Sequence, residues 1–183
     1  PSATSATTDN GLPYTIEKIP VEQPAINAKA PDLERPLVFS FDFPSEAKKI
    51  ITDDVARLVT ILKSDNLRLN AWIDLGNYRK QSGDYDGARE AWEYASAIRP
   101  GTSVPYANLG DLYAYYLKDA QKAEGYFLQA IQNEPTGIYL YFKTAEFYRD
   151  VTKAPAKARA IVEKGIAANP SSTDLKSLLS SLK

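Results

Sequence analysis

The sequence of 183 residues contains no cysteine, no histidine and no methionine. These absences exclude disulfide bonds, thiol nucleophiles, catalytic triads that depend on histidine and imidazole general bases. They also exclude nearly all zinc, copper and haem sites, whose protein ligands are chiefly cysteine, histidine and methionine. We therefore expect a protein that is not an enzyme and that binds no cofactor and no metal.

The sequence also lacks a strong net charge and a long apolar run. A formal charge of -1 argues against a surface for nucleic acid or for anionic membranes. No apolar run approaches the roughly 20 residues that span a bilayer. With 44% apolar residues, the chain is long enough for one folded domain and, at most, one appendage.

The chain begins at Pro1 rather than at a methionine. One interpretation is that an export signal was removed, and we then expect an extracytoplasmic or secreted protein. The other interpretation is a trimmed cytoplasmic protein. The absence of cysteine is compatible with an oxidising compartment but does not require one.

Residues 69–98 have the pattern of two amphipathic helices joined by a short turn. The helices are predicted at Leu69–Gln81 and Asp84–Ile98, with Ser82-Gly83 as the turn and Pro100 as the stop. Large residues alternate with glycine or alanine, as two closely packed helices require. These residues are Trp72, Leu75, Gly76 and Arg79 on the first helix and Ala88, Trp92 and Ala95 on the second. A single hairpin cannot bury its outer apolar faces, so it needs neighbours.

Two further copies of this pattern follow, and the closing prolines Pro100, Pro135 and Pro170 recur every 35 residues. The second copy has Tyr106, Leu109, Gly110, Tyr113, Ala123, Phe127 and Ala130, and the third has Tyr141, Ala145, Tyr148, Ala158, Val162 and Gly165. Over residues 69–182 the sequence resembles the tetratricopeptide repeat family, with its W-x2-L-G-x2-Y…A-x3-F…A…P pattern. The resemblance implies an all-α, right-handed solenoid of three helical hairpins with a flanking helix at each end. Three departures are Arg79 in the tyrosine position, Thr144 in a leucine position, and one extra residue between the helices of the second and third copies.

Each end of the predicted array has a helix without its hairpin partner. The first runs from Ser45, as its N-cap, to about Lys63. The last begins at Ser172. The apolar residues are Ile50, Ile51, Val55, Leu58, Ile61 and Leu62 on the first and Leu175, Leu178, Leu179 and Leu182 on the last. These helices either cap the array or pair head to tail between molecules, which would propagate a filament.

We predict residues 1–44 to form an extended arm rich in Pro, Ser and Thr, ahead of a helical domain at residues 45–183. Seven of the twelve prolines lie in the arm and forbid a long helix there. Leu37, Phe39, Phe41 and Phe43 alternate with other residues, so one edge of the arm is strongly apolar. This edge is predicted to dock either on the chain's own first helix or on a neighbouring molecule.

The family resemblance implies that the first helices of the hairpins line a concave surface for a peptide or helix of another protein. The predicted partner-binding residues are Asn77, Lys80, Asn108, Asp111, Tyr139, Phe142, Lys143, Glu146 and Arg149. In the family, such a surface can clamp a C-terminal carboxylate with asparagines and several cations. Here Ile73 and Tyr139 occupy positions that need lysine, so we do not expect a clamp. Tyr139 and Phe142 either anchor an apolar side chain of the partner or pack within their own hairpin.

The predicted function is a non-enzymatic scaffold for protein–protein interaction, which could self-associate head to tail through the arm and the end helices. The alternative is a structural subunit of an extracellular filament or surface assembly, with the arm inserted into a neighbouring copy. The expected partners are proteins or peptides, including other copies of the chain. No nucleic acid and no membrane span are expected.

Overall fold

The computed structural model describes residues 4–7, 13–16, 28–40 and 42–182. Strands β1 (Thr4–Thr7) and β2 (Pro13–Ile16) form an antiparallel pair. The helices of the described chain are α1 (Ser45–Ser64), α2 (Leu69–Ser82), α3 (Tyr85–Ile98), α4 (Ser103–Tyr115), α5 (Ala120–Asn133), α6 (Ile138–Glu146), α7 (Pro155–Ala168) and α8 (Thr173–Ser181). Each helix packs against the next along the chain. The predicted all-α array of three hairpins, α2–α3, α4–α5 and α6–α7, with a helix at each end, is confirmed.

Within each hairpin, the two helices pack closely where an aromatic ring on one helix covers a glycine on the other. A Cβ atom added to Gly76 of α2 would lie 2.3 Å from the indole nitrogen of Trp92. In the second hairpin, Gly110 lies in the same way beneath the ring of Phe127. In the third hairpin the roles are reversed, because Gly165 of the second helix lies beneath Tyr141 of the first. The predicted alternation of large and small residues therefore sets the distance between paired helices.

The extra residue in the second and third hairpins is taken up in the last turn of the first helix. Each turn has one residue with positive φ, namely Gly83 at 92°, Lys118 at 58° and Lys153 at 53°. The next N–H then bonds back to the helix, from Asp84 to Arg79 O, from Asp119 to Tyr113 O and from Ala154 to Tyr148 O. This bond spans five residues in the first hairpin and six in the other two. In the third, the added residue produces a π-helical turn at Phe147–Val151.

Thr144 occupies a leucine position of the third hairpin and is fully buried, with 0% exposure. Its hydroxyl donates a hydrogen bond of 2.7 Å to the Leu140 carbonyl one turn earlier. The bond satisfies the buried hydroxyl, so the helix accepts a polar residue in an apolar position.

The two end helices bury their apolar faces within the chain. On α1 the buried residues are Ile51, Val55, Leu58 and Leu62. Ile50 was predicted to belong to this face, which is wrong, because its side chain is 53% exposed. Ser45 is not the N-cap: Pro44 holds that position, and its carbonyl already accepts the first helical bond from Lys48 N–H.

Helix α8 begins as predicted, with the Ser172 hydroxyl accepting a bond from Leu175 N–H at 3.3 Å. Leu175 is buried, and the half-buried leucines of α8 are Leu178, Leu179 and Leu182. The residues on its outer face, all exposed, are Lys176, Ser177, Ser180 and Ser181. A polar outer face is what a terminal helix of a repeat array needs.

Substitution of Gly76 by alanine tests the close contact between paired helices. The added methyl group cannot fit under Trp92, whose Nε1–H is held by the Ile73 carbonyl at 3.0 Å. We expect a loss of about 1–3 kcal/mol in the free energy of unfolding, measured by urea denaturation. The matched control is Gly125→Ala in α5, where a Cβ atom meets nothing within 4 Å. The control should be neutral or gain up to about 1 kcal/mol. Equal effects at the two sites would contradict the packing assigned to Gly76.

Candidate protein-interaction surfaces

From residue 28 onward, the described part of the arm lies on its own chain, between α1 and α3. From Pro31 to Ser40 half-buried and exposed residues alternate, as expected for an extended segment with one apolar edge. The side chains on the core of α1–α3 are Ala28, Ala30, Leu33, Leu37, Phe39 and Phe43. The rings of Phe39 and Phe43 also meet edge to face at 5.5 Å. Phe41, the remaining predicted docking residue, lies outside the described residues.

The arm runs antiparallel to α1. Glu34 forms an ion pair of 2.6 Å with Lys63 near the end of α1, whereas Phe39 lies beneath Lys48 near its start. Among the described arm residues, none forms a sheet with the helical domain. Its backbone is instead fixed at the α2–α3 turn, where Ser40 N–H bonds to Ser82 O at 2.8 Å. The Ser40 hydroxyl donates to Gly83 O at 3.2 Å.

Arg35 is the main polar contact between the arm and the helices. Its guanidinium donates two bonds of 3.1 Å to the carboxylate of Asp84. A third bond of 3.1 Å reaches Glu90 on α3. Such paired bonds between a guanidinium and a carboxylate are among the stronger hydrogen bonds in proteins.

Asp84 joins the arm to both helices of the first hairpin. It caps α3 by accepting Gly87 N–H at 2.9 Å, and it pairs with the buried Arg79 of α2 at 2.7 Å. Arg79 in turn donates to the backbone carbonyl of Arg35 at 3.1 Å. Burial opposes ionisation of Asp84, but the bonds from Gly87 and Arg79 and the charge of Arg35 prevail and lower its pKa. The charges of Asp84 and Glu90 likewise outweigh burial and raise the pKa of Arg35.

The first hairpin departs from the other two at the positions that receive the arm. In the later hairpins a tyrosine fills the position of Arg79. A lysine fills the position of Gly87, and its ammonium group lies over the ring of that tyrosine. These cation–π pairs are Lys122 over Tyr113 at 5.0 Å and Lys157 over Tyr148 at 5.4 Å. At Gly87 even a Cβ atom would lie 2.3 Å from the Asp84 carboxylate. The groove between α1 and α3 with Arg79, Asp84, Gly87 and Glu90, here named the arm seat, is thus specific to the first hairpin.

The second surface is the row formed by the first helices α2, α4 and α6, here named the first-helix row. Asn77 and Asn108 meet across α2 and α4, with an amide contact of 3.4 Å. Lys143 of α6 pairs with Asp111 of α4. The structure therefore places these four predicted residues together between neighbouring hairpins.

Tyr139 stands on the same row, with its side chain 40% exposed. Its hydroxyl donates to Glu134 at 3.2 Å and lies 3.1 Å from the Ser103 hydroxyl. Burial of the ring raises the pKa of Tyr139. Phe142 is half-buried and packs against the core of the second and third hairpins. Of the two aromatic residues, Tyr139 is thus the more available to a partner.

The other predicted residues of this surface lie farther along the helices. The Lys80 ammonium group is 5.3 Å from the ring centre of Tyr116. Arg149 forms two bonds, of 2.8 and 2.7 Å, with its neighbour Asp150. Glu146 is exposed. Whether any of these side chains binds a partner stays a prediction.

Sequence reasoning missed several residues of both surfaces. Tyr115, 38% exposed, lies near Asp111 and Glu146 on the first-helix row. Burial first, and then these carboxylates, raise the pKa of Tyr115. Arg35 of the arm and Glu90 of the arm seat were also missed. The available signal was the paired departure of Arg79 and Gly87 from the pattern of the later hairpins.

Among the described residues, no group of three or more acidic side chains could hold a metal ion. Within the same part of the chain, no helix is both long and apolar enough to cross a bilayer. The cation Lys143, which a carboxylate clamp would use, is paired with Asp111.

Stacked two-helix hairpins that recur about every 34 residues are the tetratricopeptide repeat fold, and this chain has it. A crystal structure of MamA shares 19% identity, covering 78% of this chain and 84% of that one, with a TM-score of 0.57. TTC0263, a thermophilic TPR protein of Thermus thermophilus, shares 20% identity over 75% of each chain, with a TM-score of 0.60. The first TPR of Spaghetti (RPAP3), bound to the HSP90 peptide SRMEEVD, shares 18% identity over 64% of this chain and 92% of that one, with a TM-score of 0.52. No family model and no curated protein matches the sequence.

Replacement of Asp84 by alanine tests the ion network of the arm seat, with Asp119→Ala as the matched control. Both aspartates cap a second helix by accepting a backbone N–H, at 2.9 and 3.0 Å respectively. Asp119→Ala should lower the free energy of unfolding by about 0.5–2 kcal/mol. Asp84→Ala also leaves Arg79 buried without its partner, so we expect a loss of about 3–5 kcal/mol. Equal losses in urea denaturation would contradict the network.

Acid should weaken the same network. The pKa of Asp84 is lower in the folded state than in the unfolded state, so its carboxylate stabilises the fold above the unfolded pKa of about 3.9. This stabilisation is lost as the pH falls through the folded pKa. The difference in unfolding free energy between the wild type and Arg35→Ala should stay constant from pH 7 to about 5 and shrink as acid protonates Asp84. The exposed control Lys176→Ala should show no such trend. A difference that begins to fall near pH 6, or that grows as the solution is acidified, would refute this assignment.

Proposed function

We propose that this protein is a non-enzymatic scaffold whose first-helix row binds an extended segment of another protein. The observation that carries the proposal is the amide pair of Asn77 and Asn108 across neighbouring hairpins. Asn77 is exposed and Asn108 is half-buried, and the bond between them is long. An amide side chain carries both donors and an acceptor, as does the backbone of an extended peptide.

Apolar anchoring groups stand on the same first-helix row as the amide pair. Val104 and Tyr139 occupy equivalent positions of α4 and α6, and both side chains are exposed. A partner could therefore bury an apolar side chain there while its backbone pairs with the amides. The peptide bound by the first TPR of Spaghetti (RPAP3) supports a protein partner as the class of ligand.

The second candidate is head-to-tail self-association, in a structural subunit of an extracellular filament or surface assembly. It is supported by α1 and α8, which stand at opposite ends of the array without a hairpin partner. However, α1 and α8 bury most of their apolar side chains within the chain. Among the described residues of these two helices, the large apolar residue that is exposed is Ile50. We therefore favour the scaffold. An extracytoplasmic location after processing remains part of this second proposal.

Selection from a library of random linear peptides tests the scaffold proposal. The baits are the wild type, the double variant Asn77→Ala with Asn108→Ala, and the control Ser177→Ala with Ser180→Ala on the outer face of α8. Peptides enriched on the wild type should bind the asparagine variant about tenfold more weakly or worse, because two hydrogen bonds are lost. Their affinity for the α8 control should be unchanged. Affinities are measured by fluorescence anisotropy.

Two results would contradict the proposal. One is the failure of the wild type to enrich any peptide over the asparagine variant. The other is a set of peptides whose binding is insensitive to the asparagines and is lost in the α8 control.

A further inference from the structure

We propose that the arm seat also accepts the arm of a second copy of this chain, so that two molecules exchange arms reciprocally. The arm seat shares no side chain with the predicted partner-binding residues of the first-helix row, so arm exchange and peptide binding are tested separately. The occupant is the segment at residues 28–40 of the second copy. Its contacts in the seat would be those that the chain's own arm makes.

The charges of the arm seat fit this segment, whereas a segment with only apolar side chains would leave the carboxylates of the seat without a cation. Asp84 pairs with the buried Arg79, and Glu90 lies 3.5 Å from Arg89. The guanidinium of Arg35 adds the cation that bonds to both carboxylates. A buried carboxylate without its cations would be costly, so the seat selects an arginine at this point. The neighbouring apolar contacts select Leu33, Leu37 and Phe39, at alternate positions on either side of Arg35.

The equivalent grooves of the later hairpins do not offer this seat. Lys122 and Lys157 stand where Gly87 leaves room in the first hairpin, and each already covers a tyrosine ring. Their positive charges would repel an arginine. Each molecule therefore has one seat for one arm in the part of the chain that the structure describes, so a reciprocal exchange between two molecules fills both seats and closes the pair.

The link between the arm and its seat permits exchange. Side chains provide most of the contacts, and the two backbone groups that bond to the seat are Ser40 N–H and the Arg35 carbonyl. The arm enters α1 through Pro44, which has an extended backbone at φ -53° and ψ 143°. A rotation near this residue would direct the arm to a second molecule without altering α1. Since the cis arm is tethered, its effective concentration is in the millimolar range, and exchange should appear at high protein concentration.

The absence of cysteine allows a direct test by cross-linking. Glu34 and Lys63 form an ion pair between arm and α1, and both side chains are exposed. The donor chain carries Glu34→Cys and the recipient chain carries Lys63→Cys. The two are mixed at increasing concentrations, treated with a short bismaleimide, and analysed by mass spectrometry. A chain with both substitutions, cross-linked within itself in dilute solution, is the positive control for geometry.

Exchange predicts donor–recipient dimers whose yield rises with concentration above that of donor–donor and recipient–recipient products. Arg35→Ala in the recipient weakens the binding of its own arm and should raise the yield about tenfold, whereas the same change in the donor should lower it about tenfold. Arm exchange is contradicted if Arg35→Ala leaves the yield of donor–recipient dimers unchanged, whether it is placed in the donor or in the recipient. It is also overturned if donor–recipient dimers never exceed the like–like products, or if the doubly substituted chain fails to cross-link within itself.

Discussion

A two-helix hairpin buries only the surface between its own helices, and every other feature of this molecule depends on that constraint. The hairpins α2–α3, α4–α5 and α6–α7 bury their outer faces on one another, and α8 closes the array with exposed serines. At the other end, the described residues ahead of α1 form no helical hairpin. The arm takes that place, because Leu37 and Phe39 cover apolar surface that α1 and α3 would otherwise expose.

The first hairpin contacts the arm through charged side chains at the positions where the later hairpins have a lysine over an aromatic ring. Where the later hairpins place lysine over tyrosine, the first places Arg79 and Asp84, and Arg35 completes the network. A buried ion pair gains little net stability because both charges lose water, but a segment without the matching charge would leave a costly unpaired ion there. The molecule thus has one selective surface, the arm seat, and one polar surface of amides and a tyrosine, the first-helix row. The two differ in the kind of segment that they fit.

The helices were predictable from the sequence because their signals are local and periodic. The predicted ends of α2 and α3 agree with the structure to within one residue, since Gly83 and Pro100 mark the turns. The partners of Arg35 were not predictable, because an extended segment has no period that points to Asp84, which is 49 residues away. The assignment of Ser45 as N-cap failed because Pro44 already starts the helix. For the first-helix row, the repeat placed Asn77 and Asn108 together, but exposed side chains are not constrained by packing, so their ligand is not encoded in the pattern.

Hydrogen exchange at the Ser40 amide most directly tests whether the arm serves as the missing neighbour of the first hairpin. This N–H bonds to Ser82 O at 2.8 Å, across the contact between arm and helices. In the intact protein the Ser40 amide should exchange much more slowly than in a free peptide of the same sequence, and Arg35→Ala should remove this protection. Exchange at the free-peptide rate in the intact protein would show that the arm does not cover α1 and α3.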